Sequence, residues 1–264
     1  MEIKNNNASV KIALQGAHIY EYKRKGEEDL LWLSDISDFE EGKAIRGGIP
    51  ICWPSFGMNN ASLPQHGFAR TSMFEHIYTK EIDAGTTQVL LRLADNASTR
   101  KLWNHKFELD VMFTISSTLK IELKTTNLDT KDFTITQALH SYFSISDIRN
   151  IKIKGLENKP YFDALQEKNF LQKGIIEINE EFDNVYQKAN EEIVLEDTSK
   201  KVHLKSLGSS SVVVWNPWIE KTKRMSAMKE SDYKKFVCIE TANTFEDFKL
   251  IKPKESHTLS VEIR

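Results

Sequence analysis

Short runs in which apolar and polar residues alternate recur along this chain, and they restrict its fold more than any other feature. A period of two is typical of a β-strand that buries one face and exposes the other. Turn-forming residues at 83–85 and 127–130 separate neighbouring runs. The runs occupy residues 8–14, 88–93, 107–113, 119–125, 133–139, 150–154, 192–195, 201–204, 211–215, 236–240 and 257–263.

Helical periodicity is scarce by comparison. The best candidate is a short segment at 226–235, where Met225, Met228 and Tyr233 are spaced for one face. Many short strands without repeated strand–helix–strand spacing indicate an all-β sandwich. No glycine- or proline-rich linker divides the 264 residues, so we predict a single domain over residues 1–264.

The net charge and the lengths of the apolar runs exclude several functional classes of protein. A formal net charge of -2 leaves no basic excess for binding nucleic acid. No run approaches the ~20 apolar residues of a membrane span, and the first residues lack the apolar core of a signal peptide. We therefore predict a cytoplasmic protein in which Cys52 and Cys238, both in apolar runs, are buried free thiols.

Two segments break the strand pattern. Residues 44–57 combine glycines, prolines and aromatic residues with one charge, Arg46. Residues 63–70 bring Gln65, His66 and Arg70 together around a glycine. Arginine offers a planar fork of donors that matches phosphate oxygens. The alternatives are a rigid loop lining the core for the first segment and a solvated polar turn for the second.

Two further residues have the chemistry of an acid and a base. His140 follows an alternating run, and Glu240 ends an apolar one. Burial beside apolar residues raises the pKa of a carboxyl towards working pH. Each residue taken alone is more often structural than catalytic.

Common cofactor and nucleophile motifs are absent from the sequence. It contains no GxxxxGK[ST], GxGxxG, HExxH or GxSxG pattern. The histidines are scattered and lack the close spacing of zinc ligands. We therefore expect neither a metal nor a cofactor.

Six segments, taken in order, resemble the aldose 1-epimerase superfamily and, within it, the glucose-6-phosphate 1-epimerase branch. They read IRGGIPICWPSFG, LPQHGFAR, ALHSYF, FDNVY, VVVWNPW and FVCIETAN, and they extend from about Ala44 to Asn243. The resemblance implies a β-supersandwich of the galactose mutarotase type that interconverts the anomers of a hexose 6-phosphate. It implies His140 as general acid and Glu240 as general base. It also implies a sugar and phosphate site lined by Arg46, Gln65, His66, Arg70 and Asp183.

The chain departs from the family pattern at Thr241 and Ala242, where a proline and a glycine are common, and at Ala227, where an aspartate is common. Three rival functions remain open: a mutarotase of an unphosphorylated aldose, a non-catalytic sugar-phosphate binding protein, and a glycoside hydrolase using Asp183 and Glu240. We expect a small-molecule hexose phosphate as partner and a monomer or weak dimer. Core packing is favoured over sugar stacking for most of the aromatic residues Trp53, Phe56, Phe68, Trp215 and Trp218.

Overall fold

The computed structural model describes residues 1–58, 62–198 and 200–264, and strands dominate these ranges. In chain order the strands are β1 (Glu2–Lys4), β2 (Ala8–Ala13), β3 (His18–Arg24), β4 (Ile51–Cys52), β5 (Glu75–Asp83), β6 (Thr86–Ala94), β7 (Phe107–Ile115), β8 (Leu119–Asn127), β9 (Phe133–Ile135), β10 (Gln137–Leu139), β11 (Tyr142–Ser144), β12 (Lys152–Lys154), β13 (Pro160–Asp163), β14 (Lys168–Leu171), β15 (Phe182–Gln187), β16 (Ile193–Glu196), β17 (Lys201–Leu207), β18 (Ser211–Asn216), β19 (Phe236–Asn243), β20 (Lys249–Ile251) and β21 (Ser256–Ile263). The helices are α1 (Ala97–Leu102) and α2 (Trp218–Arg224), and 3₁₀ turns span Ala69–Thr71, Ile148–Asn150, Asp232–Lys234 and Phe245–Asp247. The all-β prediction is confirmed.

One eight-stranded antiparallel sheet has the order β12-β16-β17-β21-β8-β7-β6-β5. Its central strands alternate as the sequence predicts, because every second residue of β7 and β8 is buried. The buried side chains of this sheet form one wall of the main hydrophobic core. The exposed positions carry charge pairs, such as Arg92 Nε with Asp110 Oδ1 at 2.6 Å across β6 and β7.

A second eight-stranded sheet has the order β14-β13-β15-β18-β19-β10-β4, with β11 also paired to β19. Strands β18 and β19 are buried at every position. Their odd and even residues face different clusters: Val237 and Ile239 pack in the main core, whereas Phe236 and Cys238 belong to a smaller cluster on the opposite face. We call that opposite face the site face. Its cluster comprises Trp32, Cys52, Phe56, Ala138, Tyr142, Val185, Val213, Trp215, Met228, Phe236, Cys238 and Ala242.

The predicted strand at 133–139 is wrong as a single strand. The chain divides at Thr136, so that β9 pairs with β20 while β10 pairs with β19 and β4. Thr136 leaves the ladder because its backbone N–H donates to Pro54 O at 3.1 Å, and its hydroxyl accepts from Phe56 N–H at 2.8 Å. On either side of the break, Phe133, Ile135 and Leu139 all pack in the main core, which accounts for the continuous alternating pattern.

The helical prediction at 226–235 is right only in part. A 3₁₀ turn covers Asp232–Lys234, and the longer helix α2 lies before the predicted segment. Helix α2 starts where the side chain of Asn216 accepts the N–H of Trp218 at 2.9 Å. Sequence periodicity missed it because two turns are too few to establish a helical stripe. In the described ranges, the helices are too short and too polar to cross a lipid bilayer.

Candidate active site

His140 and Glu240 meet on the site face. Leu139 on β10 pairs with Thr241 on β19, and Tyr142 on β11 pairs with Cys238. This register places His140, in the gap between β10 and β11, opposite Glu240. The imidazole Nε2 lies 3.3 Å from the carboxyl Oε1, and the two side chains are 11% and 2% exposed. The structure therefore brings the predicted acid and the predicted base into contact.

Glu240 is surrounded by apolar side chains because it occupies an even position of β19. Cys238 and Ala242, its neighbours on that face, belong to the apolar site-face cluster. Burial raises the pKa of Glu240 well above its usual value, and the nearby carboxylate of Asp183 adds to the rise. Its second oxygen, Oε2, is buried and has no hydrogen-bond partner among the described residues. That oxygen is consequently available to a hydroxyl group of a ligand.

His140 is held by aromatic rings. Its ring stacks on Tyr142 with centroids 4.8 Å apart and an interplanar angle of 7°, and Trp215 contacts it edge-on at 5.9 Å. Its backbone N–H donates to Pro50 O at 3.0 Å. Burial lowers the pKa of His140 well below its usual value, and the charges of nearby groups, Arg70 and Arg46 among them, lower it further. Ring and backbone contacts thus fix the orientation of the imidazole.

The opposite shifts of the two pKa values have a simple consequence for the pair. A neutral imidazole beside a protonated carboxyl carries the same number of protons as an imidazolium beside a carboxylate. Conversion between these forms moves one proton over the 3.3 Å between Nε2 and Oε1. The pair can therefore present an acid and a base without exchanging a proton with solvent.

His66 is the third ionisable group at this point. Its ring centroid lies 5.8 Å from that of His140 and 5.1 Å from that of Phe56. Its Nδ1 accepts the backbone N–H of Gly57 at 3.2 Å, so the ring proton is on Nε2. Burial lowers the pKa of His66 to about 3, with Arg70 and Arg46 contributing. His66 therefore stays neutral near pH 7 and can donate one hydrogen bond.

Arg46 reaches the site from the glycine-rich loop. Its Nη1 donates to the hydroxyl of Tyr142 at 3.3 Å, and its buried Nε has no partner among the described residues. The loop passes too close to its neighbours for side chains: a Cβ on Gly47 would lie 2.4 Å from Trp32 O. His18 supports it further, since its Nε2 lies 2.8 Å from Gly47 O.

Arg70 and Gln65 lie at the edge of the same region. The guanidinium of Arg70 donates through Nη2 to the backbone oxygen of Gln65 at 2.7 Å. The charge of Arg70 lowers the pKa of His66 and of His140, which places its guanidinium within electrostatic range of both rings. Gln65 is exposed, and its backbone rather than its amide makes this contact. Among the predicted site residues, Gln65 is therefore the one whose side chain is least connected to the others.

Asp183 lies on the other side of Glu240, two strands away. It pairs with Trp215 across β15 and β18, and Trp215 in turn pairs with Cys238 on β19. Burial raises the pKa of Asp183. The Nζ of Lys221 lies 3.7 Å from Asp183 Oδ2 and 2.9 Å from Glu181 Oε1. The structure thus places the two arginines and Asp183 on opposite sides of the His140–Glu240 pair.

Sequence reasoning did not single out Tyr142 or Lys221. The sequence could have predicted that Tyr142 lies in the site, because it follows His140 by two residues in an alternating run and so shares its face. No sequence pattern predicts the place of Lys221, since its approach to Asp183 depends on how α2 packs after β18. Both residues nevertheless contact predicted site residues.

The aromatic residues divide between core and site. Trp53 and Phe68 are in the main core, where Trp53 Nε1 donates to the hydroxyl of Thr125 at 2.9 Å. Trp215 and Phe56 contact His140 and His66 respectively. Trp218 packs against Tyr233 at 5.2 Å. Core packing accounts for Trp53 and Phe68, whereas Trp215 and Phe56 lie beside the two imidazole rings of the site.

The cysteines and the departures from the family pattern also have defined places. Cys52 and Cys238 are free and buried, as predicted. The hydroxyl of Thr241 bonds Ser206 Oγ at 2.7 Å, on the opposite side of β19 from Glu240. Ala242 lines the site-face cluster, and Ala227 has a φ of 55° in the segment after α2. Ala242 therefore shares the face of Glu240, whereas Thr241 does not. Among the described residues, no three His, Cys, Asp or Glu side chains converge as metal ligands would.

Comparison with known proteins finds similar sequences and structures. The aldose 1-epimerase family model matches residues 1–264. A protein of Escherichia coli (strain K12) named "Putative glucose-6-phosphate 1-epimerase" is 36% identical over 251 residues, which cover 93% of this chain and 83% of that protein. A protein of the same name from Salmonella typhimurium (strain LT2) is 38% identical over 237 residues, or 87% of this chain and 78% of that protein.

Similarity to a solved structure covers nearly the whole fold. The crystal structure of a "putative mutarotase" from Salmonella typhimurium superposes with a TM-score of 0.93 at 33% identity, over 99% of this chain and 88% of the other. The predicted β-supersandwich of the galactose mutarotase type is thereby confirmed. A family match along the full length and a shared fold lead to one conclusion: this chain belongs to the aldose 1-epimerase family.

Proposed function

We propose that this protein interconverts the α and β anomers of a hexose 6-phosphate, with glucose 6-phosphate as the first substrate to test. The observation that carries the proposal is the buried contact of His140 Nε2 with Glu240 Oε1 at 3.3 Å. Membership of the aldose 1-epimerase family supports anomer interconversion as the reaction type.

The reaction needs two proton transfers. The bond between the anomeric carbon and the ring oxygen breaks as the ring oxygen gains a proton and the anomeric hydroxyl loses one. The open-chain aldehyde then rotates about its C1–C2 bond and closes on the other face. In our proposal His140 donates to the ring oxygen and Glu240 accepts from the anomeric hydroxyl, and the roles reverse on closure. Each transfer contributes roughly 10²–10⁴ in rate.

The contacts around the pair suit these roles. Stacking on Tyr142 and edge contact with Trp215 hold the His140 ring in one orientation. The unpartnered Oε2 of Glu240 offers a place for the anomeric hydroxyl. His66, with its proton on Nε2, is suited to donate to a neighbouring sugar oxygen. In this proposal the apolar site-face cluster excludes water from the reacting atoms and so strengthens these hydrogen bonds.

The phosphate preference rests on the arginines. Arg46 and Arg70 lie on the same side of the acid–base pair, and a dianionic phosphate pairs well with two guanidinium groups. The buried Nε of Arg46 lacks a partner among the described residues, and a phosphate oxygen would supply one. The names of the Escherichia coli and Salmonella relatives support the same substrate class.

A direct test is exchange between anomers measured by NMR saturation transfer on hexoses with and without a 6-phosphate. Faster exchange for the phosphorylated sugars supports the proposal. Equal or faster exchange for free aldoses would instead favour a mutarotase of unphosphorylated sugars. Binding without exchange would favour a non-catalytic sugar-phosphate binding protein, and release of the leaving group from aryl glycosides would favour a hydrolase.

A further inference from the structure

We propose that Lys221 is a positioning residue that holds the Asp183 carboxylate in place as an acceptor for a sugar hydroxyl. This inference rests on the proposed function, because it takes Asp183 to contact the sugar. It adds a specificity element that stands on a different segment from the catalytic pair and from the arginines.

The geometry places Lys221 over the Asp183 end of the site. Its Nζ lies 3.7 Å from Asp183 Oδ2 and 2.9 Å from Glu181 Oε1. The same Nζ lies 5.9 Å from the ring centroid of Trp215, whose edge contacts His140. Helix α2 carries Lys221 to this point because it starts directly after β18, the strand that pairs with β15. One ammonium group therefore joins the helix, the strand of Asp183 and an aromatic wall of the site.

The charges around Asp183 make this cation necessary. Burial raises the pKa of Asp183, and the carboxylates of Glu181 and Asp163 raise it further. Glu240 is also close enough for the two carboxyl groups to influence each other. Lys221 acts in the opposite direction, through its positive charge 3.7 Å from the carboxylate. Its removal would leave Asp183 facing other acids in a poorly solvated place.

Two effects follow for substrate binding. A carboxylate accepts a stronger hydrogen bond from a sugar hydroxyl than a protonated carboxyl does. Without Lys221, the pKa of Asp183 rises, so the ionised acceptor is lost at a higher pH than in the wild type. The resulting loss of affinity must therefore grow as pH falls, whereas a purely structural role of Lys221 would give a loss independent of pH.

The experiment compares Lys221→Met with the wild type. Methionine keeps the apolar stem against Trp215 and removes the charge. The measured quantity is the ratio of the variant KM to the wild-type KM, from NMR anomer exchange at several substrate concentrations and pH values. This ratio cancels the titration of the substrate phosphate. We expect it to rise as pH falls, reaching about fivefold to tenfold its alkaline value at pH values where Asp183 is protonated in the variant and ionised in the wild type.

The matched control is Lys223→Met on the same helix. Lys223 pairs with Glu220 at 2.7 Å and is exposed, away from Asp183. Its KM ratio should stay near one at every pH. Lys221→Arg should restore most of the affinity, and Lys221→Gln serves if the methionine variant does not fold. In an Asp183→Asn background, Lys221→Met should add no dependence on pH.

A KM ratio for Lys221→Met that does not change with pH, or an equal change in Lys223→Met, would overturn the inference while leaving the proposed function intact. If the wild type acts only on unphosphorylated sugars, the proposed function fails. The same ratio, measured on the sugar that is turned over, then still decides the role of Lys221.

Discussion

At the scale of single residues, the environment of each side chain decides its protonation state. Glu240 is buried among apolar neighbours and resists losing its proton, whereas His140 is buried beside cationic groups and resists gaining one. Because of these opposite pKa shifts, one proton is shared between Nε2 of His140 and Oε1 of Glu240, which lie 3.3 Å apart. If His140 and Glu240 act as the proposed acid and base, no further group needs to change protonation during a turnover.

Substitution of either member should remove catalysis and leave the fold intact. We expect Glu240→Gln and His140→Ala to lower kcat by roughly 10²–10⁴, the usual contribution of one proton transfer. The neutral amide of Gln fits where burial already favours the neutral carboxyl, so unfolding midpoints in urea should change little for Glu240→Gln. A near-normal kcat in either variant would exclude that residue as acid or base.

His18 provides a prediction about stability and pH. It is fully buried, and burial lowers its pKa from 6.5 to about 4. Above pH 6.5 both the folded and the unfolded chain hold it neutral. As pH falls from 6.5 towards 4, the unfolded chain binds a proton that the folded chain excludes, so stability is lost. The loss from this residue is at most about 3 kcal/mol.

The test of His18 compares urea unfolding free energies near neutral pH and near pH 5. His18→Gln keeps a donor for Gly47 O and should lose less stability over this interval than the wild type. His76→Gln, on the exposed edge strand β5, should lose as much as the wild type. An unchanged pH dependence in His18→Gln would contradict the assignment.

At the scale of elements, the strands of the sheet position one group of site residues, and the loops between strands carry the others. Strand β19 sets Glu240 and the gap after β10 sets His140, whereas Arg46 and His66 come from loops between strands. These loops are rigid because glycines bring backbones into contact. A Cβ on Gly67 would lie 2.1 Å from Trp53 O, so only glycine fits beside His66.

Alanine substitutions at two glycines can separate the free-energy cost of this close approach from the cost of backbone strain. Gly67 and Gly26 both have positive φ, but a Cβ on Gly26 would meet nothing within 4 Å. Gly26→Ala should therefore cost only the strain of the left-handed conformation, about 1–2 kcal/mol. Gly67→Ala should cost at least about 2 kcal/mol more from overpacking, and it should also lower kcat by displacing His66. Equal unfolding free energies for the two variants would contradict this account.

At the scale of the whole molecule, the site is a set of side chains that lie far apart in the chain. Arg46, Arg70, His140, Asp183 and Glu240 come from separate segments and converge on one face of a sheet. The arrangement is asymmetric, with arginines on one side of the acid–base pair and Asp183 on the other. A hexose phosphate has the same asymmetry, with an anion at one end and hydroxyls at the other.

The proposed binding of a phosphate by the arginines can be tested alone. Arg70→Ala should mainly raise KM for a phosphorylated sugar, because a charge-assisted contact is lost, and leave turnover of the free sugar unchanged. The control is Arg149→Ala, an exposed arginine paired with Asp147, which should behave as the wild type. Equal losses of Arg70→Ala on both kinds of sugar would rule out a phosphate role.

The sequence by itself determined the strand class and most strand positions, because periodicity is a local property. The roles of His140 and Glu240 as acid and base follow from the resemblance to the family and stay a prediction. The sequence also predicted that Cys52 and Cys238 are buried. Only the tertiary structure decided the break at Thr136, the helix α2 and the approach of Lys221 to Asp183. Those depend on which backbones pair and how a short helix packs, and such contacts join residues that the chain keeps far apart.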